Sequence, residues 1–290
     1  MIGFEARVHR RALGVFALLA LAGLTACVAP PSYRNRPVAT GAPSTFVLAH
    51  AAIVEEPRHA TRHLDEAKTI VYTQTQGGSL TAGLVFGALG ALANVGMVDS
   101  QTGLDAARMK GKLRLEPRQL FLDAAIRQGL ELTDASGTAP TAATAATPYL
   151  YLSKSPGGRL RAAAAVQLEH GSGADRWSGL YMYQLPSAYS LDDLARPSED
   201  LQRKLAAEAA QGFGELAAFI AREEAGTKDA PAKAQPEREF VFSTELLAPG
   251  GGYPMPARLI ASSEELVWCR TFEGVFALRR SSMKIRTRGI

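Results

Sequence analysis

Cysteine, histidine and tryptophan are scarce in this chain of 290 residues, which carries two, five and two of them respectively. Two thiols cannot build the disulfide framework of a small secreted scaffold, so the fold has to rest on buried apolar surface. The histidines supply little for a metal. His59 and His63 in "HATRH" are four residues apart, but Ala60 stands where a zinc protease carries glutamate, and no metal site is assigned. Glu55, Glu56, Asp65 and Glu66 around them read as a solvated charged stretch. "GGSLT" at Gly77 to Thr81 lacks the closing glycine of a nucleophile elbow. No phosphate-binding loop is present either, because the glycines near it have no following Lys and Ser or Thr. No catalytic residue and no cofactor is therefore assigned, and enzyme activity has no positive signal.

A basic excess is also missing. The formal charge is +4, and residues 1–26, with Glu5, Arg7, Arg10 and Arg11, account for half of it, so the remainder carries about +2. Nucleic-acid binding loses its main support, since phosphate recognition needs a concentrated basic surface. The one local concentration is the terminal "RRSSMKIRTRGI", with Arg279, Arg280, Lys284, Arg286 and Arg288. It reads as a frayed, solvated tail, with attraction to anionic lipid or lipopolysaccharide as the other reading.

What the sequence does have is a three-part start. Arg7, Arg10 and Arg11 precede an apolar run from Ala12 to about Leu21, and small residues follow, which is the layout of a secretory signal. The segment Leu24-Thr25-Ala26-Cys27 then resembles the lipobox of bacterial lipoproteins. That resemblance implies removal of residues 1–26, acylation of Cys27 and attachment to membrane lipid. With Val28 rather than aspartate next, it also implies the outer membrane, facing the periplasm. The proline-, serine- and glycine-rich stretch to residue 44 suits a tether. Cys269 is left without a partner. In "LVWCRTF" it alternates with Val267 and Thr271, as a buried core cysteine would.

The rest predicts an α+β domain over 45–226, a polar linker at 227–238 and a small β module at 239–290. "TFVLAHAAIV" and "TIVYTQTQ" read as strands, with a helical or looped stretch between them around "RHATRHLDEAK". "EPRQLFLDAAIRQG" predicts a helix with Pro117 in its first turn and Gly129 at its end. Asp134 to Pro148 is rich in small residues and reads as an exposed loop. Three alternating segments between Tyr149 and Leu185 predict an antiparallel β-meander, in which Ala162 to Ala165 suit a central strand approached closely by other layers. Trp177, Tyr181 and Tyr183 would share one face, with Tyr149 and Tyr151 contributing from a neighbouring strand. Such a face either stacks on sugar rings or is covered by a helix. Leu201, Leu205, Ala209, Phe213, Leu216 and Ile220 form the apolar stripe of an amphipathic helix capped by Ser198. The alternation after residue 257 predicts a β-hairpin or a module resembling an SH3-like barrel.

One stretch has no charge at all. From Gly77 to Val98, Gly83, Gly87, Gly90 and Asn94 fall on one helical stripe. At about 30 Å the stretch is long enough to cross a bilayer, and small-xxx-small spacing lets helices approach closely. A helix buried in the domain, a membrane-inserting or oligomer-packing element and a β-hairpin all remain open. Together these features predict a lipid-anchored envelope protein with a noncatalytic scaffold, assembly or transport-associated role. It would bind an envelope protein partner or form a homo-oligomer. The competing readings are a lipidated hydrolase acting on cell-wall or lipid material and an oligomeric export-pore subunit.

Overall fold

The structure is a computed structural model that describes residues 45–49, 59–75, 97–134, 143–155, 157–171, 176–226, 239–247 and 254–286. Its class is α+β, with one large, mostly antiparallel sheet and four helices among the described residues. The strands are β1 (Phe46–Leu48), β2 (His59–His63), β3 (Ile70–Thr75), β4 (Leu132–Asp134), β5 (Thr144–Lys154), β6 (Leu160–His170), β7 (Trp177–Tyr189), β8 (Glu239–Thr244), β9 (Met255–Ser262), β10 (Leu266–Arg270), β11 (Gly274–Arg279) and β12 (Met283–Arg286). The helices are α1 (97–109), α2 (Pro117–Arg127), α3 (Leu191–Ala195) and α4 (Glu199–Gly226). A 3-10 turn, Arg280–Ser282, separates β11 from β12.

The sheet runs β12-β8-β9-β10-β11-β7-β6-β5-β1-β4, and β3 adds to β5 while pairing β2. Long strands β5, β6 and β7 pair antiparallel in chain order. The outer edge of β5 is shared by two parallel partners: β1 along Thr144–Ala146 and β3 along Leu150–Ser153. Pro148 sits where the partner changes. The amide groups of Thr144 and Leu150 both donate toward that edge, so by the two-residue repeat the missing N–H of Pro148 faces the same gap and costs no ladder bond.

Each face of the central sheet is covered by something different. Toward the helices point Tyr72, Leu150, Leu152, Ala162, Ala164, Val166, Tyr183 and Leu185, which meet Phe121 of α2 and Leu205, Phe213 and Ile220 of α4. Toward the other side point Val71, Tyr149, Ala163, Ala165 and Met182, which meet Phe240, Phe242, Val267, Cys269 and Phe276. The C-terminal strands are therefore hydrogen-bonded into the same sheet and cover its second face. Residues 162–165 are alanines because both faces of β6 are fully buried there. On the helix side Gly212 completes the fit, as an added Cβ would lie 3.0 Å from the Cβ of Ala164.

Local signals explain most of the helices. Pro117 starts α2, and Gly129, with φ 71°, lies just past its end. Ser198 accepts from the Leu201 amide at 3.2 Å at the head of α4. α3 was not expected; Ser190 and Asp193 form a reciprocal capping box there. Two other expectations are corrected. "HATRH" is strand β2, because its backbone bonds to β3 from His59↔Thr75 to His63↔Val71. The expected loop at 134–148 is strand from Thr144 onward, since burial of Ala146 beneath the helices needs a small residue.

Candidate functional site

The sequence-predicted site residues Cys27, Gly83, Gly87, Gly90 and Asn94 lie outside the described residues, as does Ser79. What the structure describes is the framework from which the charge-free segment departs and to which it returns: the end of β3 at Thr75 and the start of α1 at residue 97.

A buried polar network joins these two ends. Asp105, on the inner side of α1, is 2% exposed. Its Oδ2 accepts from Lys154 Nζ at 2.6 Å and from the Tyr72 hydroxyl at 3.1 Å, and its Oδ1 accepts from Gln101 Nε2 at 2.8 Å. One turn earlier, Thr102 donates to the Val98 carbonyl at 2.6 Å and reaches Gln74 Oε1 at 3.3 Å. Arg62 of β2 donates to Asp99 at 2.7 Å. Burial, followed by the charge of Asp105, pushes the Tyr72 hydroxyl far above its ordinary range, so it stays protonated and donating.

Chemically this is a fastening. The Asp105 carboxylate is engaged by an ammonium, a phenol and an amide from its own chain, which fixes α1 across β3 and β5. Removing one member of such a buried pair strands the other charge. Asp105→Ala should therefore lower stability by about 3 kcal/mol, and Asp105→Leu with Lys154→Met should recover most of that loss. Urea unfolding followed by circular dichroism measures both, and an unchanged midpoint in Asp105→Ala would remove the network's assigned role.

Fastened on its inner side, α1 shows two large apolar side chains outside. Met97 and Leu104, seven residues apart, are 66% and 61% exposed. Spacing of seven puts them on the same side of the helix. Sequence reading did not single out Asp105, Lys154 or Tyr72, because "GLDAARMK" and "YLSKS" carry nothing that pairs them before the fold is known.

A second set of polar ties holds the C-terminal strands to α4 and β7. Glu223 accepts from the Tyr181 hydroxyl at 2.7 Å and binds Arg270, while Trp268 stacks on Phe219 with ring centres 4.9 Å apart. Gln184, fully buried, accepts from the Arg279 amide at 2.9 Å and from Ser282 Oγ at 2.8 Å. The aromatic face proposed from sequence is divided. Tyr181 and Tyr183 lie buried under α4, whereas Tyr149 is buried on the opposite side of the sheet and Tyr151 packs there as well. Their strands place them on different faces, so they do not make one stacking surface. Cys269 is fully buried, and burial pushes its thiol up to about 12.

Among the described residues no group of three His, Cys, Asp or Glu side chains is arranged to hold a metal, and no helix is long and apolar enough to cross a membrane. No family model and no curated protein matches the chain. One solved structure, titled "Crystal structure of uncharacterized protein", is similar at 16% identity with a TM-score of 0.21. The match covers 37% of this chain and 62% of that one, and a likeness of that extent assigns neither fold nor function.

Proposed function

We propose that this is a lipid-anchored envelope protein of the outer membrane, facing the periplasm, whose folded domain works by holding a partner rather than by catalysis. The reading is carried by Leu24-Thr25-Ala26-Cys27 behind its basic and apolar stretches. Acylation at Cys27 supplies the anchor, since each buried methylene contributes about 0.8 kcal/mol and two or more chains hold stably. The partner-binding part is supported by Met97 and Leu104, exposed on a helix that Asp105 fixes to the sheet. An apolar pair held on a rigid support loses little entropy on binding.

We also read β8–β12 as an SH3-like module. Within it the order is fifth, first, second, third and fourth strand, with a 3-10 turn between the fourth and the fifth. Its function here is to cover the second sheet face, which the antiparallel meander β5–β7 leaves apolar.

The anchor is tested by growing cells with labelled palmitate. The wild-type protein should incorporate label and stay with membranes in about 0.5 M salt, while Cys27→Ser should incorporate none. A wild-type protein without label would overturn the reading.

A further inference from the structure

Strand β12 closes one end of the sheet, with β8 as its strand partner. Met283 lies opposite Thr244 and Ile285 opposite Phe242, whose side chain belongs to the second core. By alternation Lys284 and Arg286 point the other way, opposite Ser243 and Val241. The register carries that outward row onto β9, where Val241 pairs Pro256 and Glu239 pairs Arg258. Lys284, Arg286 and Arg258 thus share one sheet face; Glu239 on it lies 3.5 Å from Arg258 Nε, and Arg270, opposite Arg258 on β10, is bound by Glu223 of α4. Lys284 and Arg286 are exposed. Val241 and Pro256, partly exposed, lie between the cations.

We propose that this face docks on an anionic lipid surface, with phosphate headgroups against Lys284, Arg286 and Arg258. Charge complementarity selects this occupant. Cations along an edge strand repel a further strand of this chain, but they are attracted to a sheet of phosphates. Chain length permits it too, because residues 28–44 reach at most about 60 Å when extended, enough to let the face turn toward the bilayer. The proposal rests on the lipid-anchor reading only for what brings a bilayer near.

The test uses the chain from residue 27 to 290 carrying Cys27→Ser, which has neither the basic and apolar start nor an acyl chain, in co-sedimentation with vesicles. Phosphatidylglycerol and phosphatidylcholine in about equal parts are compared with phosphatidylcholine alone. Binding is expected to the anionic vesicles, and to be lost at about 0.5 M salt. Each cation removed should weaken it about five-fold, so Lys284→Gln with Arg286→Gln should lose roughly 25-fold at unchanged melting temperature. Glu239→Gln should strengthen it. Equal binding to both vesicle types, or an unaffected double variant, overturns the docking. Because acylation is absent throughout, these outcomes are separate from palmitate labelling, which can fail or succeed independently.

Discussion

Gly274→Ala should detach the C-terminal strands from the central sheet and lower stability by about 3 to 5 kcal/mol. Gly274 opens β11 opposite Leu180 of β7, at the parallel join between the two halves of the sheet. Its φ of 154° is a conformation that a side chain rarely adopts. A Cβ there would lie 2.6 Å from the Leu180 amide nitrogen and 2.7 Å from its carbonyl carbon, and closer still to the carbonyl oxygen. All three are backbone atoms, so no rotamer change relieves the clash. The strands have to part, and with them the seating of Phe276 and Cys269 against Ala163, Ala165 and Met182. Calorimetry should show a melting temperature lower by on the order of 10 °C, and Cys269 should become accessible to thiol reagents at neutral pH. A variant that melts like the wild type with its thiol protected would contradict the description of this join.

Gly212→Leu should be nearly as damaging, for a different reason. Gly212 faces β6 and β7 from the middle of α4, where an added Cβ would lie 3.0 Å from Ala164 Cβ and 3.1 Å from both Leu185 Cδ2 and Tyr183 Cδ1. Ala164 cannot move without its strand, so three further carbons force α4 off the sheet. The expected loss is about 3 kcal/mol, at the upper end for overpacking. Gly214, two residues on, has open space around its Cβ position. Gly214→Ala should therefore stabilise the helix by about 0.5 to 1 kcal/mol. Guanidinium unfolding of Gly212→Leu beside Gly214→Leu checks the assignment, because only packing on the sheet distinguishes that pair. Equal effects would mean that α4 does not lie as described.

Much of the α4 packing was legible in the primary structure. Leu205, Ala209, Phe213, Leu216 and Ile220 recur at helical spacing, and all of them are buried on the sheet. Val267, Cys269 and Thr271 alternate and are all buried, and Pro117 and Gly129 bracket α2. These are periodic or single-residue signals, which need no knowledge of distant chain. Residues 59–63 misled because two histidines and an arginine look solvated, while strand β2 is held there by backbone bonds to β3. Residues 144–148 misled because alanine and threonine have little apolar surface of their own. Their burial depends on β1 and on the helices arriving from elsewhere.

The amino-acid sequence by itself determined the period of each strong helix and strand and the small side chains of β6, and it alone carries the expectation of an export signal ending at Cys27. Those properties are local and are written in neighbouring residues. Tertiary structure alone decided that β11 joins β7, that strands β8–β12 cover the second face of the sheet, and that Asp105 meets Lys154 and Tyr72. Each of these joins residues 30 or more positions apart, so its energy is realised only once the intervening chain has folded, and no local pattern records it.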